Sequence, residues 1–392
     1  MTMTPSPPRA APSIDGQGFA SLVPPVWRAS TVVFGSLEAF VGRKDRLPDG
    51  FTYGTTGTPT QRMLEARIAA LDKADHCVVL PSGQAAICNV LLAFLKQGDH
   101  LLMTEAAYGP AKTFARQRLA PLGIDVEFFD PRIGARMSEL LRATTRMVWL
   151  ESPGSLTMEM QDVATISAAA HRRGALVGVD NTWASPHGFS PLEHGADLCV
   201  HACTKYLGGH SDVLMGSVSM RDEALYRSLR DLQAVMGQAV SAEDCFLVAR
   251  GLDTLEIRVE RQWRSALAVA RHLCTHPMIR KVHFPALASS PDHALWARDH
   301  RGPGSLMSLE LVDAPQQAMS ALFDRLRLFS IGASWGGVHS IAAFYPREEF
   351  SSRRFCDIAG PMVRLSIGLE PAEDLIHELD AALLVFEEQR QL

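Results

Sequence analysis

The sequence has no long uninterrupted apolar run and no excess of charge of one sign. A transmembrane helix needs about 20 consecutive apolar residues, and a signal peptide needs an apolar segment that the first 18 residues do not provide. The formal net charge is −5 and the isoelectric point is near 6.3, so a surface for nucleic acid or anionic lipid is not expected. These absences predict a cytoplasmic protein without nucleic-acid or membrane partners.

Cysteine is too scarce and too scattered for a disulfide framework. There are seven cysteines, an odd number, and they fall within predicted strands and helices. This usage suits a reducing compartment. Most of the thiols are therefore predicted to be small core residues.

The chain also has no internal repeat, and its only biased stretch is the Pro/Ser/Ala-rich first dozen residues. From about residue 60 to 250, short apolar runs alternate with helical segments, which is typical of a parallel sheet covered by helices. After residue 240 an amphipathic helical region at Asp244–Thr275 precedes further strands and a final helix at Ala372–Glu388. The sequence thus predicts an α/β architecture followed by a smaller α+β region. The runs predicted as strands are Cys77–Leu80, His100–Met103, Asp125–Phe129, Met147–Leu150, Ala175–Val179, Leu198–Ala202 and Ser217–Met220.

Polar residues that directly follow these strands are the first candidates for a binding site, because ligands of open parallel sheets bind beyond the carboxyl ends of the strands. The run CVVL is followed by Ser82, Gly83 and Gln84 and leads directly into a helix. Free N–H groups and the helix dipole at such a place favour a phosphate. The alternative is an ordinary capped helix start.

Three other strand ends carry groups that suit a flat cationic ring. Asp180 ends one run and could hold a heterocycle nitrogen, while Tyr108 follows another and could stack on a ring. Lys205 follows a third run, and an amine buried there can have a lowered pKa and form a Schiff base. Taken singly, Asp180 is equally well explained as a cap, Tyr108 as an aromatic residue packed on the rim, and Lys205 as a surface lysine. Together with a phosphate site they are the parts that pyridoxal phosphate (PLP) requires, with the lysine also moving protons.

Long ordered motifs then make the chain similar to the Cys/Met-metabolism family of PLP enzymes, over nearly all residues after 20. The resemblance implies fold type I, the aspartate-aminotransferase-like fold, with a mostly parallel seven-stranded sheet and a smaller α+β C-terminal domain. It implies an N-terminal arm at 1–58 that contacts a neighbouring subunit, a PLP-binding domain at 59–245 and a C-terminal domain at 246–392. The motifs are YGTTGTPT (53–60), LPSGQAA (80–86), QGDHLLMTEAAYGP (97–110), LESPGSLTMEMQD (150–162), VDNTWASP (179–186), TKYLGGHSDVLMG (204–216), SWGG (334–337) and VRLSIGLE (363–370).

Carried over by position, the resemblance implies that Lys205 binds PLP covalently and acts as the catalytic acid and base. It implies that Asp180 pairs with the ring nitrogen and that Tyr108 stacks on the ring and assists catalysis. Arg364 matches the arginine that grips the substrate α-carboxylate, and Ser334 and Trp335 line the substrate side. The implied phosphate ligands are Gly83, Gln84, Thr204 and, from a neighbouring subunit, Tyr53 and Thr55.

LESPGS and SWGG look like the motifs of bacterial β-lyases that act on cystathionine. The implied reaction is α,β-elimination of L-cystathionine to homocysteine, pyruvate and ammonia, as in transsulfuration and methionine biosynthesis. The resemblance also implies that the active enzyme is a homotetramer, or at least a dimer. Two departures matter: Thr55 replaces the arginine of the phosphate-binding arm, and Ala333 replaces a larger residue. A γ-lyase or γ-synthase acting on cystathionine, methionine or an O-acylhomoserine is the alternative within the family.

Two patterns in the sequence suggest functions outside the family. Gly332 to Gly336 fits the G-x-S-x-G pattern of a serine hydrolase with Ser334 as nucleophile, followed by Asp357 and His377. Cys199, His201 and Cys203 alternate along one strand and offer metal ligands on one face, although a fourth ligand is not evident and no metal site is predicted.

Overall fold

The computed structural model describes residues 13–14, 19–302 and 304–391. Most of the first eighteen residues, and with them part of the predicted arm at 1–58, lie outside these ranges.

The strands and helices follow the apolar pattern of the sequence. In chain order the strands are β1 (Ser13–Ile14), β2 (Phe19–Ala20), β3 (His76–Leu80), β4 (His100–Thr104), β5 (Asp125–Phe129), β6 (Thr145–Glu151), β7 (Leu176–Asp180), β8 (Leu198–His201), β9 (Gly216–Met220), β10 (Ile279–His283), β11 (Leu306–Leu311), β12 (Ser330–Ile331), β13 (Ile341–Tyr345) and β14 (Met362–Ser366). The α-helices are α1 (Leu37–Val41), α2 (Pro59–Asp72), α3 (Gly83–Phe94), α4 (Gly109–Phe114), α5 (Met137–Leu140), α6 (Val163–His171), α7 (Ser185–Gly188), α8 (Glu223–Val235), α9 (Ala242–Leu252), α10 (Leu255–Leu273), α11 (His293–Asp299), α12 (Gln316–Arg325) and α13 (Ala372–Arg390).

The larger sheet confirms the predicted α/β architecture. Its seven strands lie in the order β3-β9-β8-β7-β6-β4-β5, and each corresponds to one of the seven predicted runs. The pairs from β8 to β5 are parallel, whereas β9 is antiparallel to both β3 and β8. Since β9 alone is reversed, β3 and β8 point in the same direction as the other strands.

A five-stranded sheet in the order β10-β11-β14-β13-β12 forms the C-terminal part and is antiparallel except for the β12–β13 pair. The helical region predicted at Asp244–Thr275 consists of two helices, α9 and α10, separated by Asp253 and Thr254. The break follows Gly251, whose backbone approaches the carbonyls of Leu207 and Gly208 so closely that a Cβ would meet them at 2.4 Å. The predicted domain boundary at 245/246 falls inside α9, and the division of the chain into domains stays a prediction.

The core of the larger sheet is apolar on both faces, as expected for parallel strands covered by helices. Leu101, Met103 and Trp149 pack on one face against α3 and α8. Leu102 and Leu150 pack on the opposite face, in a cluster that continues into the C-terminal sheet and α13. This shared cluster joins the two sheets and holds the C-terminal strands at the edge where the site lies.

A second connection between the two sheets is a buried carboxylate. Glu105, directly after β4, is 3% exposed and accepts hydrogen bonds from the backbone N–H groups of Arg354 (2.6 Å) and Phe355 (2.9 Å). The Arg354 guanidinium also lies 3.5 Å from this carboxylate. Glu105 therefore fastens the segment after residue 350 to the carboxyl edge of the larger sheet.

All seven cysteines are free, and four of them (Cys77, Cys199, Cys203 and Cys245) are buried. This agrees with the predicted role of most thiols as core residues. Within the described ranges, none of the helices has both the length and the apolar character needed to cross a lipid bilayer.

Candidate active site

The carboxyl ends of neighbouring strands bring the predicted residues to one edge of the larger sheet. Gly83 begins α3 just after β3, Asp180 ends β7, and Lys205 lies four residues after β8. Glu151 ends β6 directly opposite Asp180 in the strand register. The edge thus collects an amine, two carboxylates and a helix N-terminus, and of these the strand-end argument predicted all but the Glu151 carboxylate.

Lys205 lies in contact with the SWGG segment of the C-terminal part. Its Nζ donates a hydrogen bond to Ser334 Oγ at 2.9 Å and lies 5.3 Å from the ring centroid of Trp335. Gly336 has a φ of +82°, and a Cβ built there would be 3.1 Å from the Lys205 Cβ. Burial and the nearby Arg364 charge lower the pKa of Lys205 to about 8, against the opposing influence of Asp180. The amine is therefore held in place and is far easier to deprotonate than an exposed lysine.

Asp180 is buried, and only one of its oxygens is used by the protein. Oδ1 accepts hydrogen bonds from the Thr182 backbone N–H (3.0 Å) and the Thr182 hydroxyl (2.5 Å). The same hydroxyl accepts from the Ala202 N–H at 2.8 Å. Burial raises the pKa of Asp180, while the Thr182 bonds and the charges of His201 and Lys205 oppose this shift. In the described part of the chain, Oδ2 makes no hydrogen bond, so it is available to a ligand.

The start of α3 has the features of a phosphate site. Ser82 caps the helix by accepting from Ala85 N, which leaves the N–H groups of Gly83 and Gln84 without intrahelical acceptors. A Cβ on Gly83 would lie 2.5 Å from the Ala202 Cβ, so a glycine is required for this close approach.

The Thr204 hydroxyl donates to Met215 O at 3.2 Å and accepts from Met215 N at 3.0 Å. Its predicted contact with phosphate therefore requires the hydroxyl to turn away from Met215 O.

Tyr108 is held at the site by its backbone. Its N–H donates to Glu151 Oε2 at 2.6 Å, and its side chain is 44% exposed at the start of α4. Burial raises the pKa of the Tyr108 phenol, and the Arg364 charge acts in the opposite direction. Burial and the neighbouring Asp180 carboxylate raise the pKa of Glu151 well above its ordinary value. Glu151 is thus easier to protonate than an exposed glutamate, and it orients the Tyr108 backbone.

Arg364 lies on β14 with its guanidinium turned to the SWGG segment. Nη2 donates to Ala333 O (2.8 Å) and Ser334 O (3.3 Å), and the residue is only 8% exposed. Across the described residues, Nε and Nη1 make no hydrogen bond. An arginine with one edge fixed by carbonyls and another edge free is suited to a carboxylate.

Among the residues that the structure describes, no hydrogen bond, ion pair or ring contact joins Tyr53 or Thr55 to Lys205, Asp180 or Gly83. Tyr53 is 54% exposed, and Thr55 lies in a short 3₁₀ turn at Gly54–Thr56. An arginine elsewhere in the chain could replace the missing one, and Arg62 and Arg28 flank the motif. Arg62 pairs with Glu65 (2.6 Å) and donates to Asp49 O (3.2 Å) and Thr56 O. Arg28 pairs with Glu243 at the surface at 2.6 Å. Each of the two arginines therefore already has an acidic partner within its own chain.

The hydrolase and metal readings do not fit the geometry. The segment around Ser334 connects β12 to β13 and does not open a helix, as a nucleophile elbow must. Ser334 Oγ accepts its bond from Lys205. Cys203 turns to Ser217 Oγ at 3.3 Å, whereas Cys199 and His201 lie with Asp72, which contacts His201 Nε2 at 2.8 Å. The three residues proposed as ligands therefore do not meet.

Sequence reasoning assigned no role to Thr182 and Glu151. Glu151 ends β6 and Thr182 lies two residues after β7, so the available signal for both is their position at the carboxyl edge of the sheet. Their hydrogen bonds to Asp180 and to the Tyr108 backbone depend on strand register and side-chain direction, which the pattern of residues does not specify.

A lysine amine, a carboxylate and free helix N–H groups at one edge of such a sheet define a PLP enzyme of fold type I. The profile of the Cys/Met metabolism PLP-dependent enzymes matches residues 10–384. Cystathionine beta-lyase MetC of Escherichia coli is 39% identical, covering 91% of this chain and 92% of the relative, and cystathionine beta-lyase of Salmonella typhimurium is 38% identical over 91% and 92%. The crystal structure of cystathionine gamma synthase from Xanthomonas oryzae, in complex with aminoacrylate and cysteine, has a TM-score of 0.85 with 33% identity over 94% of both chains. The chain belongs to the Cys/Met-metabolism family of PLP-dependent enzymes.

The residues present fit the cofactor of this family. In the described part of the chain, nothing hydrogen-bonds to Asp180 Oδ2 or to the N–H groups of Gly83 and Gln84, so a ring nitrogen and a phosphate can bind there, and Lys205 has a lowered pKa. Any side chain at position 83 would fill the space between Gly83 and Ala202. PLP is therefore the cofactor, and the individual contacts stay predictions.

Proposed function

We propose that the chain catalyses the α,β-elimination of L-cystathionine to homocysteine, pyruvate and ammonia. The observation that carries the proposal is the Lys205 amine, held 2.9 Å from Ser334 Oγ and within the electrostatic influence of Arg364, with a pKa of about 8. The motifs LESPGS and SWGG and the β-lyase relatives support β-elimination within the family.

When bound, pyridoxal phosphate supplies a conjugated ring that withdraws the electron pair left at the substrate Cα after its proton is removed. Asp180 would hold the proton on the ring nitrogen with its second carboxylate oxygen, and Thr182 keeps that carboxylate oriented. Tyr108 supplies a flat face, and its backbone position is set by Glu151.

Arg364 binds the substrate carboxylate and thereby orients the Cα–H bond. Lys205 takes the Cα proton, and the electron pair of that bond forms the Cα–Cβ double bond as the Cβ–S bond breaks. The sulfur leaves with the electron pair of the C–S bond and receives the proton from Lys205. Addition of one water then releases pyruvate and ammonia, which balances the reaction.

We infer further that the active unit contains at least two copies of the chain, and four by resemblance to the family. Within the described residues, no hydrogen bond, ion pair or ring contact joins Tyr53 or Thr55 to Lys205, Asp180 or Gly83 of their own chain. The segment that carries them exposes an unusual series of large apolar side chains, which suits burial against a second copy. These are Leu22, Val23, Val26, Trp27, Val33, Leu37, Phe40, Val41, Leu47 and Tyr53.

The test is product identification with the purified, PLP-saturated protein and L-cystathionine. Pyruvate with homocysteine is the expected result, whereas 2-oxobutyrate with cysteine would assign the γ-lyase reaction instead. Lys205→Ala should abolish product formation. Lys281→Ala, which removes an exposed lysine of β10, serves as the matched control with unchanged turnover. Wild-type turnover by Lys205→Ala would refute the assigned role.

A further inference from the structure

Tyr345 lies beside Arg364 on the neighbouring strand. In the β13–β14 register Ala343 is opposite Arg364 and Tyr345 is opposite Met362, so Tyr345 is the diagonal neighbour of Arg364 on the same face. Ala343 is too small to separate the two side chains. The Arg364 guanidinium carbon consequently lies 5.4 Å from the centroid of the Tyr345 ring, within cation–π range.

Tyr345 also has apolar neighbours of its own. It packs against a small buried cluster formed by Phe350, Ile358 and Met362, against which Leu156 also packs. These contacts hold Tyr345 beside Arg364, so its ring limits where the guanidinium can move. The carbonyls of Ala333 and Ser334 fix one edge of Arg364, and the aromatic ring restrains the guanidinium from a second direction.

We propose that Tyr345 is a positioning residue that holds Arg364 with its free N–H edge directed to the substrate carboxylate. The inference rests on the proposed carboxylate-binding role of Arg364. The inferred role requires the ring of Tyr345 and not its hydroxyl, since the contact with Arg364 is made by the aromatic ring. Phenylalanine should therefore substitute for Tyr345, and leucine should not.

The experiment measures equilibrium binding of glycine and of methylamine to the PLP-loaded enzyme through the cofactor absorbance. The two ligands share the amine, and only glycine has a carboxylate. Tyr345→Leu should weaken glycine binding about 3- to 30-fold, as loss of a cation–π contact implies. It should leave methylamine binding unchanged, and Tyr345→Phe should bind glycine as the wild type does.

Phe344→Leu is the matched control, since Phe344 faces the opposite side of β13 and packs on Phe323 with centroids 6.2 Å apart. A double-mutant cycle adds Arg364→Leu: in that background Tyr345→Leu should have no further effect on glycine binding. Three results would each overturn the inference. Tyr345→Leu weakens the binding of glycine and methylamine equally, Tyr345→Leu leaves glycine binding undiminished, or Tyr345→Phe fails to bind glycine as the wild type does. If Arg364→Leu itself leaves glycine binding intact, the carboxylate role of Arg364 fails instead, and neither result depends on which product cystathionine yields.

Discussion

Among single residues, the Lys205 amine shows how opposing influences set reactivity. Burial and Arg364 lower its pKa, whereas the Asp180 carboxylate raises it, and the result is about 8. An ordinary lysine has a pKa of about 10.4. The neutral, nucleophilic form of Lys205 is therefore already substantial near pH 8.

This predicts the pH dependence of cofactor uptake. In the apoenzyme, the rate of covalent attachment of pyridoxal phosphate should rise as Lys205 loses its proton and should level off above about pH 8 to 9. Stopped-flow absorbance across pH 6 to 11 measures this rate. The reaction of Nα-acetyl-lysine under the same conditions is the control and should keep rising to about pH 10 or higher. Parallel profiles for the protein and the free amine would contradict the lowered pKa.

A second prediction at this scale concerns Arg364. Arg364→Leu removes a charge-assisted contact with the substrate carboxylate, which is worth about 1.5–3 kcal/mol. The value of kcat/KM for cystathionine should fall about 10- to 150-fold. Arg347→Leu, a change at an exposed arginine in the turn after β13, is the control. An unchanged kcat/KM in Arg364→Leu would remove the arginine from the substrate site.

Among secondary-structure elements, the residues at the strand ends could be predicted from the sequence, whereas the residues that contact them could not. Apolar runs and the polar residues that follow them placed Gly83, Asp180 and Lys205 at one edge, because parallel strands share the direction of their carboxyl ends. Tyr345 carried no such signal. Its contact with Arg364 arises from the antiparallel register of two strands about twenty residues apart, and such pairing is set by tertiary packing. The close approach of Gly251 in α9 to the carbonyls of Leu207 and Gly208 likewise depends on tertiary packing.

The connection made by Glu105 between elements yields a stability prediction. Glu105→Gln removes the charge that accepts two backbone N–H groups of the segment after residue 350, and a charged hydrogen bond of this kind is worth about 1.5–3 kcal/mol. The urea midpoint should fall without a large change in slope. Glu193→Gln, which disrupts the exposed pair with Lys73, is the comparison and should have little effect. Equal midpoints for both variants would show that Glu105 is dispensable for holding the segment.

For the whole molecule, the phosphate site and the assembly are linked. Resemblance implies that Tyr53 and Thr55 of one copy serve the cofactor of another, and Arg62 and Arg28 are already paired within their own chain. Sequence could indicate the missing arginine at Thr55. It could not reveal that both nearby substitutes are engaged, because those ion pairs form between distant positions or across a turn.

We therefore predict that Thr55→Arg will bind pyridoxal phosphate more tightly. One added charged hydrogen bond to the phosphate should lower the dissociation constant about 10- to 100-fold. Retention on dialysis and direct titration of the apoenzyme measure this, with oligomeric state checked by sedimentation. Thr55→Gln adds length without charge and should not reproduce the gain. Equal or poorer retention by the arginine variant would mean that another residue already neutralises the phosphate.

The reversed strand β9 has one more consequence. It separates β3 from β8 within the sheet, yet the chain that leaves β3 crosses over the start of β9: a Cβ on Gly83 would lie 2.5 Å from the Ala202 Cβ, and a Cβ on Gly216, the first residue of β9, would lie 2.3 Å from the Ser82 carbonyl oxygen. Two glycines therefore let the start of α3 reach the segment between β8 and Lys205 across a strand that runs in the other direction. Because β9 begins at this edge of the sheet, a side chain at either glycine would push the helix N-terminus away from the lysine.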